Sequence, residues 1–232
     1  MARLPRLAVA GLAHCVALRG HSGRPIAEDD HDRQAAIDML REAAGVTGVA
    51  VHGYALLTES LWLLVTPPEG PALGRTLQSF GRRYVSAFNR RHGARGTLWE
   101  GRYRATVVDD ERVLGALRHL DLAAVHAGLA ATAADWPWSS AMAHLGVRRD
   151  PLLAPHARYW GLGNTPFERE AAYRAWLAEG ESQDDARALE SATLHGWAYG
   201  SAAFVSALQA ATARPLLPRA PGRPRGKKTV PV

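Results

Sequence analysis

Val49-Ala-Val-His-Gly-Tyr-Ala-Leu-Leu-Thr-Glu-Ser-Leu-Trp-Leu-Leu-Val-Thr66 reads as two apolar strands, residues 49–57 and 61–66, joined by a tight reversal at Thr58-Glu59-Ser60. Upstream, residues 13–18 form a short strand that stops at Arg19-Gly20. Asp29, Asp30 and Asp32 then supply an N-cap and first-turn charge for a helix. Its apolar positions Ala36, Ile37, Leu40, Ala43 and Ala44 recur at helical spacing, and Gly45 and Gly48 are expected to end it. Downstream, Pro67-Pro68 and Gly70 break the chain. A long amphipathic helix follows, with Leu73, Leu77, Phe80, Tyr84 and Phe88 on one face, ending near His92-Gly93. Residues 105–109 form a further strand, and Asp109, Asp110 and Glu111 open a helix carrying Val113, Leu114, Leu117, Leu120 and Val125. The order β-α-β-β-α-β-α is that of a ferredoxin-like α+β sheet with helices on one face.

Beyond that unit, residues 135–140 read as a loop and residues 151–163 as an irregular stretch. Residues 167–212 read as short helical segments around Trp176, Leu189, Trp197 and Phe204. The expected organisation is a domain over residues 1–160, a helical extension over 161–213 and a basic, extended tail over 214–232.

The length allows one well-buried domain, and a hydrophobic content of 47% excludes global disorder. No run of 18 apolar residues exists to span a bilayer, and the N-terminal stretch lacks the apolar core of a secretory signal. Cys15 is the single cysteine, so a disulfide framework and a Cys-rich zinc site are both excluded. The expected location is the cytoplasm, in association with the nucleoid. Residues 214–232 carry a charge of +6, which equals the net charge of the whole chain, so the rest is balanced. Within the balanced part, residues 73–104 hold eight arginines against the single acid Glu100. Two basic clusters suit a polyanionic partner. A solvated face and the chain's preference for arginine, 26 against two lysines, are the plainer explanation.

Leu77-Gln-Ser-Phe-Gly-Arg-Arg-Tyr-Val-Ser-Ala-Phe-Asn-Arg-Arg-His92, followed by Gly96-Thr-Leu-Trp-Glu-Gly-Arg-Tyr-Arg104, resembles the REP-associated tyrosine transposases of the HUH single-strand transposase superfamily. Gly11-Leu-Ala-His-Cys-Val-Ala-Leu-Arg-Gly20, Asp135-Trp-Pro-Trp-Ser-Ser140, Gly196-Trp-Ala-Tyr-Gly200 and Gly222-Arg-Pro-Arg225 are similar to the same family, in the same order. The resemblance implies a domain that recognises a DNA hairpin beside single-stranded DNA. Active members hold a divalent metal on a His-hydrophobic-His pair of a central strand, where residues i and i+2 share a face. A helical tyrosine attacks the phosphodiester, and a polar residue four positions later completes the metal site.

This chain departs from that pattern at each chemical position. Ser60 and Trp62 stand where the histidine pair is expected, His119 where the tyrosine is, and Ala123 where the polar ligand is. Serine is a weak ligand for a divalent ion and tryptophan is not one. No metal and no cofactor are expected at these degenerate positions. Trp62 is read as filling the vacated space, His119 as a structural or surface histidine with no carboxylate assignable to its side, and Tyr84 as core. A carboxylate pair of Glu59 and Asp121 is the minor alternative. Arg82, Arg83, Arg90, Arg91, Arg95, Arg102 and Arg104 are the expected phosphate contacts of the body. Arg223, Arg225, Lys227 and Lys228 are those of the tail, where Gly222-Arg-Pro-Arg225 resembles an AT-hook core. The resulting expectation is a domesticated DNA-binding protein that recognises hairpin, single-stranded or repeat-associated DNA without cleaving it, as a regulator or structural component. The alternative is a divergent transposase or nickase with rearranged residues. No protein partner is readable, and no membrane is implied.

Overall fold

The computed structural model describes residues 7–218; Arg219, Arg223, Arg225, Lys227 and Lys228 lie outside the described residues. In chain order the elements are β1 (Ala13–Arg19), α1 (Asp30–Thr47), β2 (Ala50–Leu56), β3 (Ser60–Thr66), α2 (Gly70–His92), β4 (Arg104–Val108) and α3 (Val113–His126). The four strands form one antiparallel sheet in the order β2-β3-β1-β4, the ferredoxin-like arrangement. Five helices follow: α4 (Ala141–His144), α5 (Ala157–Trp160), α6 (Pro166–Ala178), α7 (Gln183–His195) and α8 (Ala202–Ala210). Trp197 belongs to the link between α7 and α8 rather than to a helix; its carbonyl accepts a hydrogen bond from Thr106 Oγ1.

The helix ends follow from local chemistry. Asp29 accepts the backbone N–H of Asp32 and so caps α1, satisfying a donor that no carbonyl can reach. The helix continues through Gly45 and stops at Gly48, which takes the left-handed cap at φ 71°; Gly93 does the same for α2 at φ 61°.

Strand alternation divides the core. Val16, Leu18, Leu61, Leu63 and Val65 face Ile37 and Leu40 of α1 and Leu73, Leu77, Phe80, Tyr84 and Phe88 of α2. Cys15, Ala17, Trp62, Leu64 and Val108 point the other way, toward Leu117 and Leu120 of α3, Tyr173 and Leu177 of α6 and Leu189 of α7. Helices α1 and α2 thus share one face, while α3 and the C-terminal helices cover the other. Gly53 is what lets α3 approach: a Cβ there would lie 2.7 Å from Leu117 Cδ2. The chain remains packed as far as Leu216, which is fully buried and whose carbonyl accepts the N–H of Ala198 at 2.9 Å.

Asp121 on α3 has no exposure to water. Ser140 Oγ donates to Oδ1 at 2.5 Å; Tyr173 OH donates to Oδ2 at 2.6 Å, and His144 Nδ1 to the same oxygen at 2.7 Å. The other ring nitrogen of His144 faces the backbone carbonyl of His52 at 3.0 Å, so both nitrogens meet acceptors and the ring carries two protons. Burial opposes that charge, but the Asp121 carboxylate outweighs it and holds the His144 pKa above its ordinary value. His14 and His52 are buried without such a counter-ion, and desolvation lowers each to about 4.

These shifts set a pH profile. Between about 4 and 6.5 the unfolded chain binds protons that folded His14 and His52 refuse, so stability rises with pH. The raised pKa of His144 contributes stability that is complete below about 6.5 and is lost as pH climbs through its folded value. Denaturant unfolding from pH 4 to 9 is expected to trace this dome. Asp121→Asn is expected to cost about 3–5 kcal/mol at neutral pH and to remove the alkaline limb. A flat profile above pH 6.5 in the parent chain would contradict the imidazolium.

Candidate nucleic-acid interface

Trp62 sits on β3 directly opposite Ala17 of β1 and Ala55 of β2. Side chains opposite one another across antiparallel strands share a face, so two small neighbours leave room for one indole. Trp62 is buried there and meets the ring of His119 edge-on, with centroids 5.9 Å apart. His119 does have carboxylates to its side: Nδ1 is 2.9 Å from Glu181 Oε2, and Nε2 is 3.8 Å from Glu190 Oε1 of α7. Glu181 is itself almost wholly buried, so His119 is a packed, hydrogen-bonded side chain and not a surface one. Ala123 lies one helical turn further along α3 and offers no donor atom. An indole, a weak hydroxyl, an engaged imidazole and a methyl do not fit a divalent ion. The Glu59–Asp121 pair is not formed either, since Glu59 is exposed at the turn and Asp121 is held by its three donors.

The arginines of α2 divide into two sets. Arg83 pairs with Glu42 of α1 at 2.5 Å. Arg91 pairs with Asp29 at 2.5 Å and with the buried Asp32 at 2.6 Å, and His92 adds a third contact to Asp32 at 2.9 Å. Arg91 thereby holds Asp29 below the usual carboxylate range and fastens the end of α2 to the start of α1. Asp29, His31 and Asp32 bring their ligand atoms within 4.8 Å of one another, but that negative charge is already met by Arg91 and His92. Arg82, Arg90, Arg95 and Arg102 are exposed, and none makes an ion pair or hydrogen bond among the described residues.

Arg82 and Arg102 stand on the rim of a groove of about 830 Å³ between α2 and the segment 99–103. Leu18, Leu77, Val85, Trp99 and Tyr103 contribute its apolar surface, and Arg75, paired with Glu69, closes one end. Trp99 packs against Phe80 and Tyr84, with centroids 6.1 and 6.2 Å away. Its indole N–H lies buried against Gly81 without a hydrogen-bond partner among the described residues. Tyr84 is core, as its spacing indicates: its hydroxyl donates to the Ile26 carbonyl at 2.6 Å and burial pushes its pKa up. Guanidinium groups beside an aromatic-walled groove are equipped to take both phosphates and bases.

Two residues near Ser60, Trp62 and His119, namely Arg19 and Glu181, are not among the expected site residues, whereas Arg104 is. Arg19 is directly opposite Ser60, and Arg104 lies across Ala17 from Trp62. The period of β1, with Cys15, Ala17 and Arg19 on one side, carries the signal for Arg19. Nothing local to residue 181 points Glu181 at His119.

No protein-family model matches the chain, and no curated protein is similar to it in sequence. Among solved structures, it is similar to a REP-associated tyrosine transposase bound to a REP hairpin. The TM-score is 0.55 at 13% identity, over 67% of this chain and 93% of that one. At that identity the likeness establishes a transposase-like α+β fold. A putative transposase from Deinococcus radiodurans R1 gives a TM-score of 0.37 at 19% identity, over 52% of this chain and 96% of that one.

The packing of Trp62 is directly testable. Trp62→Ala opens a void between Ala17, Ala55 and His119 and is expected to cost about 3–5 kcal/mol in denaturant unfolding. A cost below about 1 kcal/mol would mean that the ring is not part of the core.

Proposed function

We propose that the chain is a DNA-binding protein that recognises hairpin and adjoining single-stranded DNA through α2 and the segment that follows it, without cutting the strand. The observation that carries this reading is the pair of unpaired guanidinium groups, Arg82 and Arg102, that line the groove walled by Trp99 and Tyr103, with Arg90 and Arg95 exposed and unpaired among the described residues on the same helix and the segment after it. The similarity in fold to a transposase whose structure holds a REP hairpin supports the same partner. The non-cleaving part rests on Ser60, Trp62, His119 and Ala123, which supply neither a metal site nor the hydroxyl nucleophile. Such a protein acts at repeat-associated DNA in the nucleoid, as a regulator or structural component. Among the described residues no helix is long and apolar enough to cross a membrane.

The test is to mix purified protein with labelled hairpin and single-stranded DNA, with magnesium or manganese, and to measure both affinity and covalent attachment. Binding without a covalent adduct is expected. An adduct on the parent protein would establish the alternative, a divergent nickase with rearranged residues. His119→Tyr alone is expected to form none, because Trp62 still fills the space beside it and catalytic groups that act as a unit are not restored singly.

The paired and unpaired arginines separate in a salt titration. Each released counterion contributes roughly 0.9 to the slope of log affinity against log salt on duplex DNA. Arg82→Ala with Arg90→Ala is expected to flatten the slope by between about one and two, with thermal stability unchanged. Arg83→Ala with Arg91→Ala is expected to lower stability and leave the slope in place. Equal slopes in the parent and the first variant would show that this face is only solvated. The basic segment beyond residue 218 is proposed as a tethered second contact. Removing it must leave Arg214 and Leu216 intact, since both are tied into the body.

A further inference from the structure

We infer that Arg19, Arg102 and Arg104 form a metal-independent pocket for one backbone phosphate of single-stranded DNA, beside the degenerate positions Ser60 and Trp62. The inference rests on the DNA-binding reading above and adds a second contact, which shares Arg102 with the groove on α2 and draws Arg19 and Arg104 from the face of the sheet opposite α1 and α2.

The sheet register places the charges. Arg19 is directly opposite Ser60, and the row that contains Trp62 continues through Ala17 to Arg104, so both guanidinium groups leave the same face as Ser60 and Trp62. Together with Arg102, Glu100, Leu194 and His195 they line a recess of about 280 Å³, closed on one side by the end of α7. Arg104 is anchored there by one N–H, donated to the Leu194 carbonyl at 3.3 Å, and its other N–H groups have no partner among the described residues. Arg19 and Arg102 make no ion pair or side-chain hydrogen bond among the described residues. Glu100 is the one acid on the wall, and three guanidinium groups exceed it. His195 donates from Nδ1 to the Ser191 carbonyl at 2.8 Å, which leaves Nε2 as its second nitrogen.

An unpaired cationic recess recruits an anion, and planar guanidinium forks match phosphate oxygens. Its size and its position between strand ends and a helix terminus suit a single phosphate on a flexible strand, not the side of a rigid duplex. Guanidinium charge meets the phosphodiester without a metal, next to residues that contribute no nucleophile.

The test compares a blunt hairpin with the same hairpin carrying a single-stranded extension, by fluorescence anisotropy in EDTA at several salt concentrations. The extension is expected to tighten binding roughly tenfold or more, as charge-assisted hydrogen bonds do. In Arg19→Gln with Arg104→Gln this gain is expected to disappear, and the salt slope to fall by about 0.7, the value for one phosphate of a single strand. Blunt-hairpin affinity should stay within about twofold of the parent, since the groove on α2 is untouched. Replacing extension phosphates one at a time by neutral methylphosphonates needs no protein variant. One position is expected to reproduce the loss, and to add nothing further in the double variant. An equal gain from the extension in parent and variant would overturn the pocket and leave hairpin binding standing. So would a gain that appears only with manganese. Protection of the parent by inorganic phosphate alone, without an extension effect, would assign the recess to a small anion and also overturn it. No binding of either DNA would overturn the pocket and the DNA-binding reading together.

Discussion

A carboxylate sealed from water costs several kcal/mol unless donors meet it, and Asp121 is met from three separate parts of the chain. Ser140 reaches it from the loop before α4, His144 from α4 itself, and Tyr173 from α6. Ser140 Oγ also accepts the N–H of Tyr54, and His144 reaches the His52 carbonyl, so the same cluster grips β2. These bonds fix α3 against the sheet in rotation and in height. His119 lies two residues before Asp121 on that helix, so its position against Trp62 is inherited from the buried carboxylate. The part of this face that lies beneath α3, where Trp62 meets His119, is thus a piece of core organised by that charge.

The two faces of the sheet therefore have different physical tasks. On the side of α1 and α2, apolar alternation builds the main core, and the outer surface of α2 remains available with its groove and rim arginines. On the other side, Trp62 packs under α3 against His119, and His119 is held by Glu181 from the segment leading into α7. Tryptophan at this position needs its neighbours to be small. Ala17 and Ala55 meet that need from both adjoining strands. Ala17, Ala55, Trp62 and His119 are thus mutually consistent as packing, which is a separate matter from their being unfit to hold a divalent ion.

Much of this could be read from sequence because periodicity is written locally. The alternation of residues 49–66 and the three- and four-residue spacing of Leu73 to Phe88 lead directly to β2, β3 and α2, and seven elements appear in the expected order. Helix ends were legible where a capping Asp or glycine marks them, although Gly45 shows that a glycine without the left-handed conformation ends nothing. What was not legible depends on which distant surfaces meet. Arg91 and Asp29 are separated by 62 residues, and so are His119 and Glu181. No local pattern shows that these pairs become neighbours. For the same reason nothing local marks Asp121 as buried: its three donors lie between 19 and 52 residues away.

The doubled arginines of α2 show how a charge count becomes a geometry. Arg82-Arg83 and Arg90-Arg91 are adjacent in sequence, and an α-helix turns by about 100° per residue. Within each pair the two side chains must therefore diverge. The second member of each turns to α1, where Glu42, Asp29 and Asp32 await it, and its charge is spent on joining two helices. The first member of each makes no ion pair among the described residues; Arg82 lines the groove on α2, and Arg90 lines a hollow that reaches Asp32 and Ala35 of α1. A partner that carries one negative charge per residue of its own backbone finds in the first set a row of unspent cations, and in the second set only ion pairs that it would have to break. Two helical positions side by side thus differ more in what they can bind than the identical residues occupying them would suggest. The sorting is done by α1, whose acids decide which arginines of α2 are structure and which remain for a ligand.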